Sequence, residues 1–173
     1  MSIFEESARV PLLIVAPGVS NKGSVARTPV GLIDLYPTLT KLCGVEAPSN
    51  LQGQSLVPML KDPNTEGRGW ALSQVTRGGG GAKAPEEKRV FGYSLRTPRW
   101  RYTEWDEGKQ GRELYDHDAD PKELTNLAEN PAQSKTVESL SKQLRTAVAA
   151  TFPPSGKRPP LIEATWQPIL AKP

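Results

Sequence analysis

One histidine and the acidic residues around it are the side chains of this sequence that most resemble a catalytic or metal-binding group. His117 stands between Asp116 and Asp118, an order in which a carboxylate can orient the ring as a general base. Asp116, Asp118 and Asp120 have a spacing that hints at calcium, but the glycine and distal glutamate of a calcium loop are missing, and Pro121 follows at once. We therefore favour a capped turn and predict no catalytic and no metal-ligating residue here.

Two other candidate motifs lack residues that their chemistry requires. The glycine-rich run at 78–84 contains a lysine, but a phosphate-binding loop needs glycine before that lysine and Ser or Thr after it. We interpret the run as a flexible loop. Cys43 ends an apolar stretch, and we expect a buried structural thiol. With one cysteine and one histidine, the chain can form neither an intrachain disulfide nor a two-histidine zinc motif.

The charges are unevenly distributed along the chain, although the net charge is only +3. Residues 83–101 carry six basic and two acidic side chains, whereas residues 104–129 carry nine acidic and three basic ones. Two solvated faces of a small sheet explain this pattern, and so does a basic surface that meets an anionic ligand. The acidic stretch argues against nucleic acid as that ligand, and no apolar run approaches the roughly 18 residues that a membrane span needs.

The first part of the chain has the pattern of an α/β unit. Residues 10–16 form a continuous apolar run, which predicts a strand buried on both faces, as in a parallel sheet. Apolar residues then recur at helical spacing over about 32–43, with an expected break at Pro37. The loop-rich stretch that follows places a boundary near residue 66. We assign 1–66 to the end of an α/β core.

The second part predicts a small antiparallel subdomain over residues 67–152. Four segments have strand patterns: 71–75, 89–96, 100–105 and 112–115. Thr97 and Pro98 indicate a hairpin turn between the second and third. Apolar residues at helical spacing predict a helix over about 134–150 that packs on the sheet. Residues 153–173 form a proline-rich tail.

Several stretches of this sequence resemble the C-terminal part of the sulfatase family. One is Phe4-Glu-Glu-Ser-Ala-Arg-Val-Pro-Leu-Leu-Ile-Val-Ala-Pro-Gly18, followed by Leu32-Ile-Asp-Leu-Tyr-Pro-Thr-Leu39. Another is Glu113-Leu-Tyr-Asp116, with Asp120-Pro121, Glu123 and Asn126-Leu-Ala128. A narrower set is similar to the iduronate-2-sulfatase branch: Ser73-Gln74, Arg77, Gly92-Tyr-Ser-Leu-Arg-Thr97, Arg101-Tyr-Thr103 and Trp105. The resemblance spans about residues 4–130. It implies the C-terminal part of an alkaline-phosphatase-like sulfatase fold, of class α/β, with a four-stranded antiparallel sheet packed against a C-terminal helix.

The resemblance also implies a hydrolase of sulfuric esters, acting in its intact form on sulfated sugars of glycosaminoglycan type. In the family a cysteine of a Cys-x-Pro-x-Arg-type motif becomes formylglycine, and calcium held by Asp and Asn steadies the sulfate oxygens. Cys43 is followed by Gly44-Val-Glu-Ala47 and is not that cysteine. We expect the formylglycine, the calcium and the catalytic lysine in a missing N-terminal core, which would be this chain's partner. The chain alone is predicted to be inactive.

Two basic residues are the substrate-binding candidates that the resemblance implies. Arg77 matches the Ser-Gln-x-x-Arg pattern of the iduronate-like branch, and Lys83 matches a loop lysine if a small gap is allowed. A structural ion pair for Arg77 and solvent exposure for Lys83 are the competing interpretations. An alternative function is a stand-alone binding module for acidic or sulfated polysaccharide, using Arg77, Lys83, Lys88, Arg89, Arg99 and Arg101. Intact relatives of this kind are usually exported or lysosomal, but this chain shows no export signal, which leaves its compartment open.

Overall fold

A four-stranded antiparallel sheet organises the second half of the molecule. The computed structural model describes residues 2–77 and 90–152 and one short strand pair of the tail, at 161–162 and 169–170. The strands follow one another in the order β1 to β4: β1 is Ala71–Arg77, β2 is Val90–Arg96, β3 is Trp100–Trp105 and β4 is Arg112–Asp116. The amide of Thr97 donates to the carbonyl of Trp100 at 2.8 Å, which closes the predicted β2–β3 hairpin. Three short helices precede the sheet: α1 is Glu5–Ala8, α2 is Leu35–Cys43 and α3 is Val57–Lys61. One long helix, α4, follows it and spans Ser134–Ala149; β5 (Leu161–Ile162) then pairs with β6 (Ile169–Leu170).

Helix α4 covers one face of the sheet, as its apolar spacing predicts. Its buried residues recur every three or four positions: Val137, Leu140, Leu144 and Ala147. They pack against Leu95 of β2, Tyr102 of β3 and Leu114 of β4, which are fully buried. The helix and the sheet therefore share one hydrophobic core.

The opposite face of the sheet is covered by the start of the chain, which the sequence pattern did not predict. Ile3 is buried against Val75 and Trp105, and the ring of Phe4 lies 5.8 Å from that of Tyr115. Gly92 lies directly beneath the Trp105 ring, where a Cβ atom would stand 2.5 Å from a ring carbon. A residue without a side chain is therefore required on β2 at this point.

A buried carboxylate joins the segments that lead to the sheet. The side chain of Asp34 accepts hydrogen bonds at 2.8 Å from the amides of Gly31 and Gln54, and it also pairs with Arg68. Helix α2 begins at Leu35, directly after a 3-10 turn at Leu32–Asp34. The expected break at Pro37 is absent, because this proline lies in the first turn of α2, where helical amides need no partner.

The prediction of a buried strand over residues 10–16 is wrong for this structure. No strand forms there, and Val10, Leu12, Leu13 and Val15 are exposed. The physical reason is that a strand buried on both faces needs neighbouring strands for its backbone and covering layers for its side chains, and the described residues supply neither. Cys43 is exposed as well, so the expectation of a buried thiol is also wrong.

Exposed apolar side chains are concentrated in one part of the described chain. Of the eleven large hydrophobic residues that are exposed, ten lie between residues 10 and 45 and only Leu124 lies outside. We call residues 10–45 the apolar segment. Within the described residues, no helix is both long and apolar enough to cross a membrane.

Candidate functional site

Five ionisable side chains meet on the sheet face that the start of the chain covers. They come from α1, β2, β3 and the region after β4: Glu5, Arg96, Arg101, His117 and Glu123. We call them the charge cluster. The side chains of Arg101, Glu123 and His117 are at most 7% exposed. Two carboxylates and two guanidinium groups balance, so the cluster is neutral overall when the imidazole is neutral.

Arg101 is the centre of the charge cluster. Its Nε donates to Glu123 Oε1 and its Nη2 to Glu5 Oε2, both at 2.5 Å, while Nη1 donates to Ser94 Oγ at 3.3 Å. Glu123 also accepts the backbone amide of Glu5 at 2.7 Å through its second oxygen. The guanidinium therefore bridges two carboxylates that are remote in sequence, which joins α1 to the sheet.

His117 uses both ring nitrogens inside the cluster. Nδ1 lies 2.9 Å from Nη2 of Arg96, and Nε2 lies 2.8 Å from Oε1 of Glu123. Arginine can only donate, so Nδ1 accepts and Nε2 carries the proton that is donated to Glu123. Neither nitrogen is free to act as a general base. The sequence interpretation of a plain turn residue is also incomplete, since the ring is buried in an ionic network.

The charges around Glu5 keep it ionised. Burial disfavours its charged form, but the hydrogen bonds and charges of Arg96 and Arg101 outweigh burial and lower the pKa of the Glu5 carboxyl from its ordinary value. A hydrogen bond from Arg99 likewise lowers the pKa of Asp116. Arg99 holds both oxygens of that carboxylate, at 2.9 and 2.7 Å.

The charge cluster does not fit a metal ion. Among the described residues Glu5, His117 and Glu123 place one possible ligand atom each within 4.8 Å of one another. Two guanidinium groups already occupy these carboxylates, and the set offers far fewer oxygens than the six to eight that calcium prefers. The arrangement satisfies buried charge with arginine rather than with a cation from solution.

Arg77, the first predicted substrate-binding residue, is held in place by an aromatic ring. It ends β1, and its guanidinium carbon lies 3.5 Å from the centre of the Trp105 ring. The indole is itself fixed by a 3.0 Å hydrogen bond from Nε1 to Glu113. Within the described part of the chain no carboxylate lies at ion-pair distance from Arg77, so the structural ion pair, the competing interpretation of this residue, is not seen there. Lys83, the second candidate, lies outside the described residues.

The structure separates Arg77 from the charge cluster along one face of the sheet. Trp105, under Arg77, and Arg101, in the cluster, are four residues apart on β3, which corresponds to about 13 Å. The polysaccharide-binding alternative loses support here. Two of its basic residues are already paired, Arg101 with Glu5 and Glu123 and Arg99 with Asp116.

Comparison with known proteins matches residues 1–150 to the family described as "N-sulphoglucosamine sulphohydrolase, C-terminal". Arylsulfatase K of Gallus gallus is 36% identical over 156 residues, which is 86% of this chain and 27% of the relative. A solved structure of a 2-O GAG sulfatase is 32% identical, with a TM-score of 0.55. The matched region is 66% of this chain and 24% of that chain. The structure of a phosphonate monoester hydrolase from Silicibacter pomeroyi is 27% identical, with a TM-score of 0.61. The matched region is 76% of this chain and 27% of that chain.

These likenesses confirm the predicted fold class: an α/β chain of the alkaline-phosphatase-like sulfatase fold, with its four-stranded antiparallel sheet and C-terminal helix. The chain spans about a quarter of the length of the curated relatives that it matches. The finer similarity to the iduronate-2-sulfatase branch stays a prediction. The family match over residues 1–150 establishes that this chain belongs to the sulfatases, as their C-terminal domain.

Proposed function

We propose that this chain is the C-terminal part of a sulfuric ester hydrolase of the iduronate-2-sulfatase-like branch, which acts on sulfated sugars of glycosaminoglycan type. The similarity to a 2-O GAG sulfatase supports the substrate class. The exposed apolar segment is the observation that carries the proposal, because it is the surface that a larger sulfatase core would cover.

The partner that fits the apolar segment is the N-terminal core of a sulfatase. Residues 10–16 have the composition of a central parallel strand, and α2 also exposes Tyr36 and Leu39. Burying one large apolar side chain contributes about 1.5–3 kcal/mol. Ten such side chains in one segment therefore favour a large apolar partner over solvent, whereas in the rest of the described chain Leu124 is the one large hydrophobic residue that is exposed.

The reaction itself is assigned to that partner. Calcium and a formylglycine residue, which the family resemblance implies, would supply the electrophilic and nucleophilic chemistry. The charge cluster does not fit calcium, and Cys43 lacks the motif of the modified cysteine. This chain by itself is therefore proposed to be inactive.

Arg77 is the residue of this chain that we assign to substrate binding. Stacking on Trp105 fixes its guanidinium before a ligand arrives, which reduces the entropy lost on binding. A guanidinium can hold a sugar carboxylate through two parallel hydrogen bonds. Lys83, six residues after Arg77 in the sequence, would add a point charge.

The test compares the chain alone with the chain joined to the sequence encoded upstream of it. The substrates are 4-nitrophenyl sulfate, which has no carboxylate, and a disaccharide that carries a 2-O-sulfated uronate. The chain alone should hydrolyse neither substrate, and the joined protein should hydrolyse both. Sulfatase activity of the chain alone, or none in a folded joined protein, would overturn the proposal.

Substitution then isolates the role of Arg77 in the joined protein. Arg77→Ala should raise KM for the uronate substrate by about tenfold or more, since a hydrogen bond to a charged group is worth about 1.5–3 kcal/mol. It should leave hydrolysis of 4-nitrophenyl sulfate nearly unchanged. Arg145→Ala, on α4 at the opposite face of the sheet, is the matched control. Equal effects of Arg77→Ala on both substrates would remove Arg77 from the binding site.

A further inference from the structure

We infer that the indole of Trp105 is a platform that positions the Arg77 guanidinium for a carboxylate group. Gly92 and Glu113, which hold the indole in place, are then positioning residues of the same site. Their role rests on the proposed function, in which Arg77 binds the substrate, and it needs no contact between these residues and the ligand.

The indole reaches Arg77 by lying across the intervening strand. Trp105 is on β3 and Arg77 is on β1, and these strands are about 10 Å apart with β2 between them. The sheet register pairs Gly92 of β2 with Trp105 on one side and with Val75 on the other. Val75 stands two residues before Arg77 and so shares its face of the sheet. A Cβ atom at Gly92 would stand 2.5–2.8 Å from three carbons of the six-membered ring, so a residue without a side chain lets the ring lie low enough to contact Arg77.

Two further sets of contacts fix the plane of the indole. Its Nε1 donates a 3.0 Å hydrogen bond to Oε1 of Glu113 on β4. Ile3 and Val75 pack with the ring, and Trp105 is only 4% exposed. The ring cannot rotate out of this position without breaking the hydrogen bond and opening the apolar cluster. Arg77 itself is exposed, so the buried platform restricts a side chain that would otherwise sample many rotamers.

The short distance between the two groups determines how the guanidinium is turned. The Cζ atom of Arg77 lies 3.5 Å from the centre of the Trp105 ring, and the guanidinium nitrogens lie about 1.3 Å from Cζ. At that separation the nitrogens would overlap the ring unless the two planes are stacked face to face. Stacking directs the N–H groups along the guanidinium plane. This is the geometry in which two parallel N–H groups hold both oxygens of a carboxylate.

A second arginine beside an indole already holds a carboxylate in this structure. Arg99 Cζ lies 4.6 Å from the centre of the Trp100 ring, and its Nε and Nη2 donate to the two oxygens of Asp116 at 2.9 and 2.7 Å. Arg77 has the same kind of aromatic support at a shorter distance, but among the described residues no carboxylate pairs with it. A carboxylate of the substrate would take the place that Asp116 has at Arg99.

Kinetics of Trp105→Leu in the joined protein test the platform. The KM for the 2-O-sulfated uronate substrate should rise about two- to fivefold, the loss expected for an exposed cation–π contact, while kcat for that substrate stays nearly constant. The rise should exceed any change in the KM for 4-nitrophenyl sulfate, which has no carboxylate. Gly92→Ala, which lifts the ring, should raise the same KM. Trp100→Leu is the matched control, because it removes an indole from the other face of the same strand, and it should leave both KM values unchanged.

A double-mutant cycle shows whether Trp105 acts through Arg77. Adding Trp105→Leu to Arg77→Ala should have no further effect on the uronate KM, because residues that act as one unit are not additive. Proton resonances of the Arg77 side chain in the 173-residue chain give a readout that needs no activity. The ring current of the indole should shift them upfield, and Trp105→Leu should abolish that shift. Additive kinetic effects, or Arg77 resonances that Trp105→Leu leaves unchanged, would overturn the inference.

The outcomes distinguish failure of the platform from failure of the proposed function. If Arg77→Ala raises the uronate KM selectively but Trp105→Leu does not, the proposed function stands and the platform is rejected. If Arg77→Ala has no selective effect, or the folded joined protein is inactive, the assignment of Arg77 to substrate binding fails and the role of the platform fails with it.

If Trp105→Leu does not fold, two substitutions of Glu113 decide instead. Glu113→Ala should raise the uronate KM, because it removes the acceptor that fixes the indole. Glu113→Gln, whose amide oxygen still accepts from Nε1 of Trp105, should restore the wild-type KM. Equal KM values for these two variants would overturn the inference.

Discussion

Replacement of Arg101 by methionine should strongly destabilise the sheet, although the two side chains are similar in length. The guanidinium is 2% exposed and is hydrogen bonded to Glu5, Glu123 and Ser94. Methionine fills much of the same space but leaves Glu123 buried with its charge uncompensated. Removing one partner of a buried ion pair costs about 3–5 kcal/mol.

That cost is large for a domain of this size. At about 4–8 °C per kcal/mol for a small domain, the Tm should fall by more than about 10 °C. Arg99→Met is the matched control, because it removes the same group from the same hairpin. Its side chain is 53% exposed, so solvent screens its pair with Asp116 and the Tm should fall far less than in Arg101→Met.

Thermal and urea unfolding followed by circular dichroism measures both variants. A second substitution sharpens the test: adding Glu123→Gln to Arg101→Met should recover part of the loss, because it removes the stranded charge. Equal losses for Arg101→Met and Arg99→Met, or a further loss on adding Glu123→Gln, would refute the explanation by uncompensated charge.

Three further predictions concern the core, a close contact and the alkaline range. Leu144→Ala should lower the free energy of unfolding by about 2–5 kcal/mol, because this side chain is 1% exposed between α4 and the sheet, whereas Leu124→Ala, which is 80% exposed, should change it by less than about 0.5 kcal/mol in the same urea titration. Gly92→Ala should cost about 1–3 kcal/mol and shift the fluorescence of Trp105, since its Cβ would stand 2.5 Å from the ring; an unchanged spectrum and stability would contradict this contact. Burial and neighbouring negative charges raise the pKa of Tyr115 to about 12. The stability that this phenol contributes is therefore complete below the ordinary tyrosine pKa of about 10 and is lost as the pH rises through about 12. Absorbance at about 295 nm follows the ionisation of the phenol, and unfolding experiments across that pH range measure the loss.

The small subdomain was predictable because its signals are local. Each strand is a separate segment of strand-forming residues, Thr97 and Pro98 mark a turn, and α4 repeats its apolar residues at helical spacing. The observed strands differ from the predicted ones by at most two residues at an end. The packing of α4 on the sheet could be predicted from the helix alone, since its apolar face must be covered by another apolar surface.

The charge cluster was not predictable from such patterns. Glu5 and Arg101 are 96 residues apart, and no local spacing relates them. Tyr102 lies on the face of β3 that packs against α4, and Arg101 lies on the opposite face. The alternation of apolar and polar residues predicts that this opposite face is exposed to solvent. The signal that was available is the family resemblance, since Glu5, Arg96, Arg101 and Glu123 all lie in stretches that carry it, although nothing in those stretches says that they meet.

The apolar run at 10–16 shows the opposite error. Its composition predicts a central strand, yet in the structure this run belongs to no sheet and most of its large apolar side chains are exposed. The composition describes a preferred environment, and the conformation depends on whether neighbouring strands are present. The same mismatch is what motivates a sulfatase core as the partner of this chain.

The sequence encoded upstream of the Met1 codon tests the central proposal most directly. The account predicts an in-frame extension, or an adjacent gene, that encodes a Cys-x-Pro-x-Arg-type motif, an aspartate pair and a lysine shortly before the region that corresponds to Met1. A stop codon immediately upstream, with no neighbouring gene that encodes these motifs, would contradict the proposal that this chain works as the C-terminal part of a sulfatase.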